Sequence, residues 1–529
     1  MTSADRNPRS LKSDLRRAFA ALNAGQLETA GALCRSILQR APELPQGHFL
    51  VGLLGLESQD RKTAFQAFAS VTRLDPTHAA AWAQLARLLQ TDGQFDRADQ
   101  ALAEAVRHAG DDPIVLDLIG SLYSLGGEHG QARRYFERAV ARAPEQTGYM
   151  LNLANNRIYF GDLEAGVELL ERLLVQAPRS PQAHWVLANT RTASDTSHIE
   201  RMLDLVAGTD HPRAQAFFWY AIGKCHEDLA HWDEAASAFC AGAAARRRTL
   251  QFDEAAEVAL FETLENTFTE AWRRQANRGS DESGPVFILG QPRTGTTLIE
   301  RVLSAHSAIH AAGELQQFPL AVRRLTGHTA PQRYSATLVE QAARVDPARL
   351  GQAYLSSARR VRGDTPLFID KLPQNYLLLP LIATALPGSH IIHLTRHPAD
   401  ACVASFKQLF ADAYLHSYEP GEMARHHLRY RTLLDRWRER FDDAFLEVHY
   451  EAAAADLEPQ ARRLIRSLAL PWEAACLRFY EQPTAVTTAS AVQVREPAHT
   501  RSVGQWQRYE QHLAPMFDTL VAGGLTLNG

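Results

Sequence analysis

A short apolar run, Val286-Phe287-Ile288-Leu289, leads into Gly290-Gln291-Pro292-Arg293-Thr294-Gly295-Thr296-Thr297 and then into the helical pattern LIERVLSAH. Strand, glycine-bounded loop and helix together make an anion cradle, because loop N–H groups and a helix N-terminus converge on an oxyanion. The Gly290-x4-Gly295 spacing is that of a Walker A loop, but Thr296 stands where such a loop needs Lys to reach the β- and γ-phosphates. The positive charge sits earlier, at Arg293. Further polar residues follow other strand-like runs. Arg396 follows Ile391-Ile392-His393-Leu394, Lys371 ends Phe368-Ile369-Asp370-Lys371, and Tyr450 follows Val448-His449. Glu314 follows the weaker run Ile309-His310-Ala311-Ala312. Ligands of open α/β sheets bind outside the carboxyl ends of the strands, so one site could gather all five residues. Lys371 is one of only five lysines against 51 arginines, which suggests a lysine chosen for its chemistry. Taken alone, Glu314 reads more readily as a capping or ion-paired residue than as a base, and Tyr450 and Ser490 read equally as structural ones.

The string PRTGTT resembles the PRSGTT or PKSGTT loop of sulfotransferases, which holds the 5′-phosphosulfate of 3′-phosphoadenosine 5′-phosphosulfate (PAPS). The resemblance implies donor binding by Gln291, Pro292, Arg293, Thr294, Gly295, Thr296 and Thr297. Thr395-Arg396-His397-Pro398-Ala399-Asp400 resembles the family's 3′-phosphate motif, in which a Ser lies eight residues after the Arg. Here that position is Ala404, and Ser405 lies one further, turned by about 100° on a helix. Arg396 and Ser405 are carried as the 3′-phosphate ligands. Gly313-Glu314 is similar to the Gly-Glu of tyrosylprotein and tetratricopeptide-linked sulfotransferases, where the Glu is the general base, and IDKLPQN is similar to their Asp-Lys-x-Pro segment. Val448-His449-Tyr450-Glu451 and the tail TASAVQVREPAHTRSVGQW resemble segments that close over the nucleotide, with Tyr450, Ser490 and Arg501 as candidates. At Gln505 relatives often carry a basic residue. The resemblance spans about 284–510.

It implies an enzyme moving a sulfuryl group from PAPS to an acceptor hydroxyl by in-line displacement, where positioning and electrostatics carry the catalysis. Glu314 would take the acceptor proton, a plausible task if the acceptor is a phenol of pKa about 10. Lys371 and Arg293 would stabilise charge on the bridging oxygen. His310 is the alternative base. No metal is expected, since a sulfuryl group is less charged than a phosphoryl group.

The first half positions something else. From 18 to 188, small residues recur every 34: Ala18, Gly52, Ala86, Gly120, Ala154 and Ala188. A second phase runs Ala30, Ala64, Ala98, Ala132, Gly166, and a third Pro42, Pro76, Gly110, Pro144, Pro178. Two short helices per repeat, closely packed at the small residues and stopped by Pro, explain all three phases. The spacing resembles the tetratricopeptide repeat. Five repeats are clear, a sixth begins near Pro181 and diverges, and Gly223 with Ala235 suggests a seventh. The fold class is therefore an all-α solenoid over 13–275, a polar linker over 276–284, and a P-loop-type α/β domain with a mainly parallel sheet over 285–529. Such arrays offer concave surfaces to peptides, so a peptide or protein acceptor, a tyrosine among the options, is expected. A purely bracing or dimerising role, including a homodimer, stays open.

Composition sets the outer limits. The 529 residues are 45% hydrophobic and 22% charged, with a net charge of −4, an ordinary globular make-up. Residues 284–529 carry 26 basic against 23 acidic side chains, which suits an anionic ligand. No charge block of the kind found in nucleic-acid tails occurs, and no apolar stretch approaches the length of a membrane span. The polar start and five scattered cysteines point to a cytoplasmic protein without disulfides or zinc spacing. His426-His427 lies in the helical stretch MARHHLRYRTLLDRWRERF and reads as a solvated face, while Trp437 and Trp506 read as core. Two rival readings remain: an ATP-using kinase or NTPase, and a non-catalytic scaffold with a degenerate nucleotide fold.

Overall fold

The computed structural model describes residues 8–527. Helices follow one another from Pro8–Asn23 to Glu270–Gln275; helix hairpins open 34 residues apart at Pro45, Ala79, Pro113, Thr147 and Pro181, as the small-residue phases require, and the spacing lapses beyond that. Their packing shows why those residues are small. A Cβ on Gly52 would lie 2.5 Å from the ring of Phe68, and one on Gly223 2.9 Å from the ring of Phe239. In both pairs the aromatic is sixteen residues later, on the second helix of the hairpin. Helix pair Pro212–Asp228 and Trp232–Arg247 thus repeats the early contact.

Two compact units divide the chain, Met1–Leu153 and Ala154–Gly529. The later repeat helices therefore belong with the sheet. Tyr220 of one repeat helix donates its hydroxyl to the Phe406 carbonyl at 3.0 Å, and Phe239 shares a core with Cys402, Phe406 and Trp506. The polar segment after Gln275 is anchored rather than free, since the Ser280 N–H donates to the Ala385 carbonyl at 2.8 Å.

Five parallel strands form the sheet: β1 (Pro285–Gly290), β2 (Ile309–Ala311), β3 (Leu367–Lys371), β4 (His390–Thr395) and β5 (Leu446–His449). Their order is β2-β3-β1-β4-β5. Central β1 is buried along its whole length, as expected for a parallel strand covered on both faces. Phe287 and Leu289 pack on one side with Phe318, Tyr354 and Phe368, while Val286 and Ile288 pack on the other with Ile299 and Val448. From β1 the chain turns toward β3, and from β4 it turns toward β5. The crevice between β1 and β4 is therefore the switch point where such sheets bind ligands.

Candidate active site

At that switch point, outside the carboxyl ends of the strands, lies a cleft of about 450 Å³. Gly295 builds its floor. It stands at φ +91° and caps helix Thr296–Ser304 without a side-chain acceptor, so the first N–H groups of that helix are left for a ligand. A Cβ at position 295 would come within 2.6 Å of the Tyr450 ring. Tyr450 in turn carries the Arg396 guanidinium over its face, 4.8 Å from the ring centre.

The two arginines are tied together. Arg396 donates to the Arg293 carbonyl at 2.9 Å, and its Nε is buried without a partner. Arg293 sits in the left-handed region at φ +65° and donates to Ser490 Oγ at 2.5 Å and Gln493 Oε1 at 3.0 Å. Burial and the neighbouring Arg396 push its guanidinium down to about 10, so it stays charged at neutral pH. Two like charges beside an uncapped helix N-terminus, with a glycine cradle that any side chain would fill, are the arrangement that favours a bound anion.

Glu314 and Lys371 stand at the adjoining strand ends. The chain after β2 continues alongside β3, where the Lys371 N–H donates to the Gly313 carbonyl at 2.9 Å. This register sets Glu314 beside the lysine, with Nζ 2.5 Å from Oε1. Glu300, one turn into the cradle helix, approaches Nζ from another side at 3.8 Å. Burial alone would depress Lys371, but the Glu314 and Glu300 carboxylates outweigh it and leave the ammonium raised. Glu300 is itself pushed up by burial, which Lys371 only partly offsets. Alternation along β3 sends the neighbouring Asp370 to the opposite face. There it accepts from Tyr354 at 3.0 Å, and burial holds its carboxyl well above the usual range.

Not every sequence candidate faces this space. Pro292, Arg293, Gly295, Thr296, Thr297, Glu314, Arg396, Tyr450 and Ser490 line the cleft. Lys371 lies behind Glu314. Thr294 is buried, donating to the Gln291 carbonyl at 2.8 Å, and Gln291 turns its amide toward His426. Ser405 is buried beneath the loop, its hydroxyl 3.4 Å from the Pro292 carbonyl. Arg501 is exposed and paired with Glu496. His310 packs against Gly363, away from the cleft lining. Trp437 and Trp506 are core residues. The solvated face expected at His426-His427 is corrected: both rings are buried, His426 against helix Glu254–Thr267, where Glu257 meets its Nδ1 at 2.9 Å, and His427 beside Tyr430 near the end of β4.

Residues missed in the sequence supply an apolar wall: Trp185, Leu409, Phe410 and Tyr414. Phe410 and Tyr414 meet at 4.7 Å between ring centres, and Tyr414 holds an uncommon left-handed φ of +55°. Burial, and then the Glu314 carboxylate, push the Tyr414 hydroxyl upward. The aromatic pair in QLFADAY was the only available signal.

Residues 285–474 match the sulfotransferase family, and 55–122 and 115–146 match tetratricopeptide repeats. The chain carries a sulfotransferase-family domain together with tetratricopeptide repeats. An uncharacterised protein of Aquifex aeolicus is 26% identical over 406 residues, covering 74% of this chain and 53% of that protein. Protein-tyrosine sulfotransferase 1 of Danio rerio is 25% identical over 271 residues, covering 44% of this chain and 71% of that protein. The protein-tyrosine sulfotransferase of Drosophila melanogaster is 22% identical, covering 42% and 46%. The chain thus spans about half the length of two of these relatives. Among solved structures, the sulfotransferase domain of the Synechococcus olefin synthase aligns at 19% identity with a TM-score of 0.33, covering 48% of this chain and all of that domain. Among the described residues no helix is long and apolar enough to cross a membrane.

Proposed function

We propose that this protein transfers a sulfuryl group from PAPS to an acceptor hydroxyl, and that the acceptor is a tyrosine of a peptide or protein. The observation that carries the reading is the convergence of Arg293, Arg396 and the Gly295 cradle with the Glu314–Lys371 pair at one cleft. In this reading the cradle N–H groups and Arg293 hold the 5′-phosphosulfate, and Arg396, stacked on Tyr450, meets the 3′-phosphate. Ser405 would act through the loop, by fixing the Pro292 carbonyl. Glu314, facing the cleft, accepts the acceptor proton as oxygen attacks sulfur. Arg293 meets the negative charge that develops on the bridging oxygen of the leaving nucleotide, while Lys371, buried behind Glu314, acts by holding that carboxylate in place.

The aromatic wall of Trp185, Phe410 and Tyr414 supports a phenolic acceptor, and Trp185 comes from the repeat helix Pro181–Thr190. Tetratricopeptide repeats generally present surfaces to other proteins, which supports a peptide-borne acceptor. The testing experiment is calorimetric titration with adenosine 3′,5′-bisphosphate beside Mg-ATP, followed by transfer of label from sulfur-35 PAPS to a tyrosine peptide. Micromolar bisphosphate binding, negligible ATP binding and labelled peptide are expected. Preference for ATP, or no transfer to any hydroxyl acceptor, overturns the reading.

A further inference from the structure

Residues 486–495, part of the segment that lines the cleft from the C-terminal side, form a loop whose two ends meet at one atom. The Val486 N–H donates to the Tyr159 carbonyl at 2.8 Å, and Arg495 Nη2 donates to the same oxygen at 2.7 Å. A carbonyl oxygen has two lone pairs, and here the two ends of the loop take them. Val486, Ala491 and Val494 pack together as the loop's own small core. Its far side bears on the anion cradle. Thr488 Oγ1 lies 3.1 Å from Thr297 Oγ1, and Ser490 Oγ and Gln493 Oε1 accept from Arg293. Tyr159 ends the first helix of the fifth repeat, and Gly161 lies in the turn that follows. We propose that this turn is a structural part of the cradle, and that Arg495 is the positioning residue through which the fifth repeat sets Arg293 and Thr297 for anion binding.

Arg495 gathers the base of the loop as well as gripping the repeat. Its Nη1 donates to the Gln482 carbonyl at 2.7 Å, and Nη2 also reaches the Thr484 carbonyl at 2.9 Å. Buried Arg301, on the cradle helix Thr296–Ser304, donates to the same Gln482 carbonyl at 2.8 Å. Two guanidinium groups therefore meet at one oxygen, one carried by the cradle helix and one holding the repeat turn. The loop has no helix or strand of its own beyond the short turn Gln493–Arg495, so these bonds set its position.

Gly161 separates this contact from ordinary repeat geometry. Gly25 and Gly127 hold the same phase of the 34-residue repeat, with left-handed φ of +71° and +81°, and a Cβ on either would meet nothing within 4 Å. Gly161 has the same φ as Gly127, +81°, but a Cβ there would lie 2.9 Å from Arg495 Nε. The turn conformation accounts for glycine at all three positions. The close approach of a guanidinium belongs to the fifth repeat, where the missing side chain lets Arg495 reach the Tyr159 carbonyl. Grip on the turn and occupancy of the cradle are then linked in both directions. That the anion is the phosphate and sulfate of PAPS rests on the proposed function, whereas the hold of the turn on the cradle does not.

The test uses the full-length protein and two readouts. In calorimetry with adenosine 3′,5′-bisphosphate, Arg495→Ala and Gly161→Ala should each weaken binding roughly tenfold or more, because each removes or displaces the bonds at the loop base. Gly127→Ala carries the same backbone strain far from the loop and should stay within about twofold. Adding Gly161→Ala to Arg495→Ala should weaken binding no further, since the guanidinium it displaces is already gone. Hydrogen exchange without nucleotide reads the linkage independently: amides of 486–495 and of the cradle loop 290–297 should exchange faster in Arg495→Ala and Gly161→Ala, and at the wild-type rate in Gly127→Ala. A wild-type protein that does not bind the bisphosphate would count against the proposed function, and the exchange data would still decide this inference. Earlier melting with unchanged cradle exchange, equal effects of Gly127→Ala and Gly161→Ala, or additive losses in the double variant would each overturn it and leave Arg495 a brace.

Discussion

Lys371 Nζ lies 2.5 Å from Glu314 Oε1, yet the two side chains differ sharply in exposure, 1% against 43%. The pair therefore presents a carboxylate to the cleft while its ammonium stays inside the sheet domain, where Glu300 is the second counter-charge. Removing one end is not equivalent to removing the other. Glu314→Gln leaves Lys371 paired with Glu300 and should cost at most about 1 kcal/mol of stability. Lys371→Met strands buried Glu300 and should cost about 3–5 kcal/mol, whereas Glu300→Leu/Lys371→Met together should recover most of it. Urea unfolding of the three variants measures this directly. Equal losses for Glu314→Gln and Lys371→Met would contradict the buried, shared lysine.

Gly295 is the residue on which the anion cradle turns. At φ +91°, with the Tyr450 ring where a Cβ would go, Gly295→Ala must shift either the loop or the ring that supports Arg396. Binding of adenosine 3′,5′-bisphosphate should weaken by roughly tenfold or more, since about 1.4 kcal/mol suffices for each decade. Calorimetry reads the loss. Tight binding by the alanine variant would show that the cradle does not meet the ligand.

The sheet was largely legible in the residues, because parallel strands covered on both faces read as unbroken apolar runs. The run at 286–289 became β1, and even the weak run at 309–312 became β2. The repeats were legible because each small residue marks one helix contact, as Gly52 on Phe68 shows. What could not be read arises from tertiary proximity. Trp185 reaches the same cleft as Phe410 from more than two hundred residues away, and no local pattern announces it. His426 lies in an Arg-rich helix that looks solvated, but Glu254 and Glu257 from another helix neutralise Arg425 and Arg429 and allow the histidine to be buried. Arg501 shows the opposite limit, a basic residue in a matching segment whose charge is taken up by Glu496.

Acid should destabilise the repeat–sheet unit through His184 and His198. His184 Nε2 bonds the Pro178 carbonyl at 2.9 Å, so its Nδ1 accepts from His198 Nε2, also at 2.9 Å. Burial, together with His184, holds His198 down to about 4, and burial lowers His184 as well. Below the unfolded value of about 6.5 the unfolded chain binds protons that the folded pair refuses. Stability from this pair is thus intact above about 6.5 and falls as pH drops toward 4, by up to about 1.4 kcal/mol per pH unit for each histidine that stays neutral. His198→Gln should flatten the fall of melting temperature between pH 6.5 and 4.5. An unchanged slope would place the acid-sensitive groups elsewhere.

Trp185 offers the sharpest separation of acceptor from donor recognition. It lines the cleft from helix Pro181–Thr190 and packs edge-on against Phe217, with ring centres 5.7 Å apart. If the aromatic wall receives the acceptor, Trp185→Ala removes a large anchoring surface and should raise KM for a tyrosine peptide roughly tenfold or more. Affinity for adenosine 3′,5′-bisphosphate should change by no more than about twofold, because the anion cradle and its arginines are untouched. Trp185→Phe should recover much of the loss by keeping an aromatic face in place. A purely bracing tryptophan would behave differently: the alanine variant would melt earlier and lose nucleotide and acceptor binding in parallel. Comparing peptide KM with bisphosphate Kd in the same preparations distinguishes the two, and parallel losses would remove this wall from acceptor recognition.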